Sequence, residues 1–403
     1  MANLADSAPA NPGKAATLVP TDGTALRANN FDALRLLLAV LVVWSHSFAL
    51  WSDSERSEWL AVLMAGQYNS GHVAVLGFFA ISGFLITASW QKRKSAGQFL
   101  KSRIARIHPG YLVAVTLCSL VVIPLYSSRS FGVLSLQEIG GLLSNVLLQN
   151  FIIPSNAFGG GPVNGSLWSI RYEFWCYLGV MALGLIGSMR WRAIYPAVAI
   201  SVMAVRIFLD LTGRHPDSGI LSPFIGYAYF WFDVLPPFML GGCAYLYRDC
   251  IPRSGAMGLI AATVVVASAH LPIGQVYRDT LVHTIFPPVF CYGLFYLVFD
   301  TRLPKFETSK FGDMSYGTYL YAFPIQQMLA SSLRGGVTFP VYIVLSIGLS
   351  LAAGWASWHL VEKHFHKPRR NVSASDATAV AAEQQHPFAQ RGQLARPSNT
   401  VGG

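Results

Sequence analysis

The chain alternates between long apolar runs and short polar connections. Each run holds roughly 20 residues, the length that an α-helix needs to cross a bilayer. Charged residues rarely interrupt the runs, so the pattern predicts an all-α, polytopic helical bundle in a membrane. Ten transmembrane helices are predicted, at about residues 31–51, 71–90, 110–126, 167–187, 193–211, 226–247, 256–271, 280–299, 314–333 and 338–361.

Differences in composition predict the domain organisation. Residues 1–29 are polar and lack periodicity, so we expect a disordered cytoplasmic tail and no cleaved signal peptide. Residues 30–365 hold all ten spans and form the transmembrane domain, and residues 366–403 form a second disordered, basic and polar cytoplasmic tail. The longest polar connection, 127–166, contains a weakly apolar piece at 136–153 that could re-enter the membrane or lie at its surface.

The composition agrees with a membrane protein. The chain is 53% hydrophobic and 12% charged, and this charged fraction is about half of that in a soluble domain. The net charge of +10 does not predict nucleic-acid binding, because the basic residues lie in short loops and tails. The five cysteines show no CxxC pair, so we expect neither a disulfide framework nor a metal site.

The distribution of Lys and Arg predicts the topology. Connections after even-numbered spans carry clusters of basic residues, whereas those after odd-numbered spans carry single arginines. Because positive residues concentrate on the cytoplasmic side, both termini are predicted to be cytoplasmic.

The first span carries two ionisable residues on one face. Arg35 and His46 are eleven positions apart, which is about three helical turns and roughly 16 Å along the axis. Ionisable groups inside a membrane usually face a protein interior or a wet cavity, so this stripe indicates a polar path from the cytoplasm toward the other side. Alternatively, Arg35 could be a snorkelling anchor and His46 a hydrogen bonder between helices.

Two further segments carry candidate chemistry. Arg103 and Arg106 are three residues apart in the most basic connection and would be neighbours on a helix, where their guanidinium groups match phosphate oxygens. The alternative is an ordinary basic loop that touches anionic lipids. Ser166, Ser169 and Glu173 share one face at the start of the fourth span, and Glu173 is predicted at the depth of His46. A structural ion pair of Glu173 with Arg171 or Arg206 is the competing interpretation.

Together these motifs resemble the membrane-bound acyltransferase family 3, the bacterial integral-membrane O-acyltransferases. The resemblance covers about residues 30–365. It rests on Arg35 and His46, on Phe78 to Phe84, on Arg103 to Pro109, on Leu167-Trp168-Ser169 with Glu173, and on Ser315 to Leu320. Many members carry a histidine in the ninth span where this chain has Ala322, so the chemistry here depends more on His46.

The resemblance implies an acyl-CoA-dependent O-acetyltransferase of the bacterial inner membrane. The donor would be cytoplasmic acetyl-CoA or another acyl-CoA, and the acceptor a hydroxyl of a glycan, such as a lipid-linked cell-surface polysaccharide intermediate. His46 would be a general base or a transient acyl carrier, with Glu173 orienting it. The remaining predicted roles are phosphate binding by Arg35, Arg103 and Arg106, and substrate binding by Ser166, Trp168, Ser169 and Tyr316. A glycan or lipid transporter and a non-catalytic scaffold are the alternatives.

Overall fold

Each of the ten predicted spans is a helix in the computed structural model of the protein. The structure describes residues 17–20, 29–52, 54–92, 95–128, 133–187, 191–300, 302–303 and 312–365. The long helices, numbered in chain order, are α1 (Phe31–Ser52), α2 (Ser70–Lys92), α3 (Ala96–Tyr126), α4 (Trp168–Leu185), α5 (Ile194–Thr212), α6 (Ala228–Leu246), α7 (Gly255–Ala269), α8 (Gln275–Val298), α9 (Met314–Leu333) and α10 (Phe339–Leu360). The described residues form no β-strand, so the predicted all-α class is confirmed.

Six of these helices are long and apolar enough to cross a membrane. They are α1, α2, α3, α5, α8 and α10, the last extended by a short turn to Phe365. The other four are shorter or more polar, and α7, for example, has 15 residues. The structure therefore agrees with a multi-pass membrane protein, while ten crossings with cytoplasmic termini stay a prediction.

Helix α2 packs between α1 and α6 and is the most enclosed of the six apolar helices. A Cβ atom at Gly83 would collide with the backbone carbonyl of Phe238, and one at Gly241 would collide with the carbonyl of Ala80. The two helices therefore touch backbone to backbone, as small residues allow in membrane bundles. The glycine in the Phe78 to Phe84 segment thus serves helix packing.

Helix α3 begins about four turns earlier than the sequence predicted. It starts at Ala96 and continues through Pro109, so the basic segment that contains Arg103 and Arg106 is helical. One π-helical turn, Cys118–Val122, interrupts it before Tyr126. The two arginines are consequently held on a rigid element.

The connection between α3 and α4 folds back into the bundle. A short helix, Leu136–Ser144, begins with a capping box, and the chain then runs along α3. The Tyr111 hydroxyl lies 3.1 Å from the side-chain oxygen of Asn145 and 2.9 Å from that of Asn150. Tyr111 is only five residues beyond Arg106 on α3. The re-entrant alternative for 136–153 is therefore the one that the structure favours.

The predicted N-terminal tail is partly structured, which corrects the expectation of disorder for residues 1–29. Leu18 and Val19 are buried, and the Leu18 backbone N–H donates to the carbonyl of Ile251 at 2.8 Å. Two consecutive apolar residues in a polar segment are enough to dock it against the connection between α6 and α7. The predicted C-terminal tail, 366–403, lies outside the described residues.

Candidate active site

Three helices bring charged residues together at one end of the bundle. Arg35 of α1 and Arg106 of α3 both pair with Asp313, the residue before α9, at 3.0 and 2.6 Å. The Ser315 hydroxyl donates to the other carboxylate oxygen of Asp313 at 2.7 Å. This end is called the arginine end below, and it unites two of the three predicted phosphate-binding residues.

Two carboxylates offset the guanidinium charges at the arginine end. Burial alone would raise the pKa of the Asp313 carboxyl, but Arg106 and Arg35 outweigh it and hold that pKa well below its usual range. The second carboxylate, Glu362, is buried and interacts electrostatically with Arg106 and Arg35. Arg103, one helical turn from Arg106, lies over the rings of Phe99 and Tyr177 at 5.8 and 5.9 Å. The third predicted residue thus lies on the same helix and adds positive charge.

Glu173 lies away from His46, which corrects the predicted common depth. The Glu173 carboxylate accepts hydrogen bonds from Ser82 at 2.7 Å and from Tyr177 at 2.5 Å. Gly71 of α2 packs against Ser45, next to His46. Ser82 is eleven residues farther along α2, so Glu173 lies roughly 16 Å nearer the arginine end.

The competing ion-pair interpretation of Glu173 is also wrong. The guanidinium of Arg171 donates to the backbone carbonyls of Leu148 and Ser222, at 2.9 and 3.0 Å. Arg206 pairs with Asp210 and Asp233, and its guanidinium also lies 3.2 Å from a ring nitrogen of His283. These residues form a separate buried polar cluster, which includes His283.

A hydrogen-bonded group of hydroxyls lies in the middle of the bundle. The Tyr319 hydroxyl of α9 donates to the backbone carbonyl of Ser166 at 2.6 Å and lies 2.7 Å from the hydroxyl of Ser169. The turn Gly165–Leu167 immediately precedes α4, and Asn164 caps it by accepting from the Ser166 N–H. Two of the predicted substrate-binding serines are therefore adjacent in space, with a tyrosine that sequence reasoning did not select.

His46 lies beside this group with a nitrogen that has no partner. Its ring meets the Phe323 ring edge to face at 5.1 Å, and its Nδ1 is buried without a hydrogen bond to any described residue. A Cβ at Gly165 would touch the same Phe323 ring, and the neighbouring Ser166 hydroxyl is likewise buried and unbonded. Both atoms can therefore bond a ligand, although other buried side chains of the bundle, such as Ser346 and Ser350, also carry polar atoms without a described partner.

Tyr316 was predicted to bind substrate together with Ser166 and Ser169, but it lies apart from the central hydroxyls. Its hydroxyl donates to the carbonyl of Ile107 at 2.8 Å, and its ring lies under the Arg106 guanidinium at 5.6 Å. Tyr316 therefore belongs to the arginine end. Trp168 packs against Phe230 on the other side of α4, with ring centroids 4.9 Å apart.

Helix α9 connects the two parts of the site. Its positions 316, 319, 323 and 326 follow a spacing of three and four, so they share one face. Tyr316 lies at the arginine end, Tyr319 and Phe323 lie in the centre, and Gln326 donates to Val43 and Ser47 of α1. Asp313 and Tyr319 are the functional candidates that the sequence missed, although Asp313 lies two residues before the Ser315 to Leu320 motif and Tyr319 lies within it.

The fold and the site define a helical membrane protein. Its arginine end is connected through α9 to the group formed by His46, Ser166, Ser169 and Tyr319, which is called the histidine centre below. The chain belongs to acyltransferase family 3, because the family model, described as an acyltransferase domain, matches residues 29–359. The resemblance seen in the sequence is thereby confirmed.

Several curated proteins resemble the chain over most of its length. It is 27% identical to the O-acetyl transferase of Shigella phage Sf6, over 84% of this chain and 96% of the relative. It is 26% identical to Nodulation protein 10 of Rhizobium leguminosarum bv. viciae, over 86% of this chain and 95% of the relative. The acyltransferase MdmB of Streptomyces mycarofaciens is 27% identical over 50% of this chain and 52% of the relative. No solved structure matches.

Proposed function

We propose that the protein is an O-acyltransferase that moves an acetyl or other short acyl group from cytoplasmic acyl-CoA to a hydroxyl of a glycan, in the bacterial inner membrane. The observation that carries this proposal is the pairing of two sites on one helix. Arg35 lies in a cluster of arginines, and His46, roughly 16 Å farther along α1, has a buried nitrogen without a described partner. Acyl-CoA has a polyanionic head and carries its thioester on an extended arm, so it suits the distance between Arg35 and His46.

The arginine end suits the phosphates of CoA. Guanidinium forks bind phosphate oxygens, and Arg35, Arg106 and Arg103 bring three of them to this end. We assign Glu173 to this end, where it holds Tyr177 beside Arg103. The thioester arm then extends along the face of α9 that carries Tyr316 and Tyr319.

The chemistry takes place at the histidine centre. The acceptor oxygen attacks the thioester carbonyl, its proton passes to His46, the C–S bond breaks, and the CoA thiolate regains a proton from His46. The Ser166 hydroxyl, which is buried without a described hydrogen bond, would donate to the developing oxyanion. Tyr319 and Ser169 hold the Ser166 turn in position.

The proposal is tested by replacing His46 with glutamine, which keeps hydrogen bonding but cannot take the proton. The purified protein in proteoliposomes receives labelled acetyl-CoA and the membrane lipid extract of the native host, and free CoA and labelled product are measured. We expect His46→Gln to reduce turnover about 10²–10⁴-fold.

The matched control is His270→Gln, since His270 is exposed and contacts only the backbone carbonyl of Leu63 among the bonds described for it. It should retain wild-type turnover. Equal activity of His46→Gln and His270→Gln would remove His46 from the reaction. A wild-type protein that releases no CoA would point to the transporter or scaffold alternatives.

A further inference from the structure

A cavity of about 910 Å³ lies outside the site described so far. It is widely open to the outside and is bounded by the connection between α3 and α4 and by the chain around the first turns of α4 and α6. Its volume falls in the range of about 300–1,000 Å³ that is typical of small-molecule sites. Six aromatic side chains line it: Phe151, Trp168, Tyr172, Phe224, Tyr227 and Phe230.

The polar groups of the cavity favour an anionic, hydroxyl-rich ligand. Gln149 and Asn150 offer side-chain amides, and Arg171 offers a guanidinium that also ties the two walls together through the carbonyls of Leu148 and Ser222. No carboxylate is among the described residues that line it, so the field inside is positive. Aromatic faces, amides and one arginine together suit a sugar that carries a phosphate.

The rim of the cavity is apolar and exposed. Leu147, Phe224 and Tyr227 are 65%, 55% and 61% exposed, respectively. A lipid chain can pack on such an apolar surface. A ligand that combines a sugar phosphate with a lipid chain matches both the polar groups of the cavity and its apolar rim, which favours a lipid-linked sugar over a soluble one.

The cavity and the histidine centre lie on neighbouring faces of α4. Trp168 and Tyr172, four residues apart, face the cavity, whereas Ser169 bonds with Tyr319 in the centre. We propose that the cavity binds the acceptor as a lipid-linked sugar phosphate, with its sugar on the aromatic rings, its phosphate at Arg171 and its lipid chain across the rim. This inference rests on the proposed function, because it gives the acceptor of that reaction a binding site.

Photo-crosslinking tests the occupant without relying on activity. The photoreactive amino acid p-benzoylphenylalanine replaces Tyr227 in native host membranes, and adducts are identified by mass spectrometry after irradiation. The same replacement at Tyr277, which is 65% exposed on α8, is the matched control. We expect a sugar- and phosphate-containing lipid at position 227 and ordinary phospholipid at position 277. Phospholipid alone at position 227, or no adduct there, would overturn the assignment.

Kinetics provide a second, independent test. Trp168→Ala and Tyr227→Ala should raise the half-saturating amount of native lipid extract about tenfold, as expected for the loss of one aromatic contact. Acetyl-CoA binding should be unchanged in both, and Tyr277→Ala should behave as wild type. An unchanged acceptor requirement in an active protein would refute the cavity assignment alone. If the wild type transfers no acetyl group, the proposed function fails instead, whatever the crosslinking shows.

Discussion

The shared carboxylate of Asp313 allows a quantitative test of the arginine end. Asp313→Asn keeps the side-chain volume but removes the charge that Arg35 and Arg106 approach at 3.0 and 2.6 Å. The side chains of Arg35, Arg106 and Asp313 are only 21%, 15% and 21% exposed. Breaking a buried ion pair lowers the free energy of unfolding by about 3–5 kcal/mol. Because these side chains are partly exposed, we expect Asp313→Asn to lose about 3 kcal/mol.

The same substitution should increase the stabilisation of the folded protein by CoA. With Asp313 neutral, two guanidinium groups remain close together, and CoA phosphates can pair with both. A ligand at 100 times its dissociation constant stabilises the folded state by about 2.7 kcal/mol. We therefore expect CoA to restore most of the loss and to stabilise Asp313→Asn more than the wild type.

The assay is thermal unfolding in detergent, with and without CoA. The matched control is Asp249→Asn, because Asp249 pairs with Arg192 at 3.7 Å and both side chains are 54% exposed. This control should leave the unfolding temperature close to that of the wild type and should not alter the response to CoA. A loss below about 0.5 kcal/mol in Asp313→Asn, or a smaller CoA response than that of the wild type, would refute the phosphate-clamp model.

The pH dependence of the stability difference between the wild type and Asp313→Asn gives an internal check. The folded-state pKa of Asp313 lies below its usual value of about 3.9, so the stabilising effect is complete above that value and is lost as the pH falls toward the folded pKa. Between about pH 5.5 and 8.5, the stability difference between the wild type and Asp313→Asn should be constant. A marked change in this window would show that another group titrates with the cluster.

Two further predictions concern the fold. Reporter fusions after Asp300 and after Arg334 should lie in the cytoplasm and on the opposite side, respectively, and the same side for both would disprove the ten-span topology. Gly83→Ala should lower the yield of folded protein, since its Cβ would meet the Phe238 carbonyl, whereas Gly348→Ala, which has open space around it, should leave size-exclusion profiles unchanged.

The sequence predicted best the features that depend on one helix. Arg35 and His46 share a face because eleven residues make about three turns, and Arg103 and Arg106 are neighbours for the same reason. Such relations hold wherever the helix lies in the bundle. The meeting of Arg35 and Arg106 on Asp313 depends on three helices, and no spacing within one of them reveals it.

The error about Glu173 has a specific physical cause. The predicted depth of Glu173 assumes that the fourth span begins at the membrane surface. The preceding segment instead folds back into the bundle, held by Tyr111 with Asn145 and Asn150, so α4 begins partway across. Those polar contacts connect segments more than thirty residues apart in sequence, so the local pattern could not reveal them.

Helix α4 explains how two unlike substrates can meet at one histidine. Trp168 and Tyr172 lie on its cavity face, while Ser169 and Glu173 lie on its bundle face, and each pair is four residues apart. In the proposed reaction, the donor enters from the arginine end and passes Glu173 before it reaches Ser169, while the acceptor in the cavity lies against Trp168. Both proposed routes converge at the N-terminal end of α4, where the Ser166 turn and His46 flank the Phe323 ring. We therefore expect that the acceptor site and the donor path can be altered separately, by substitutions on two different faces of a single helix.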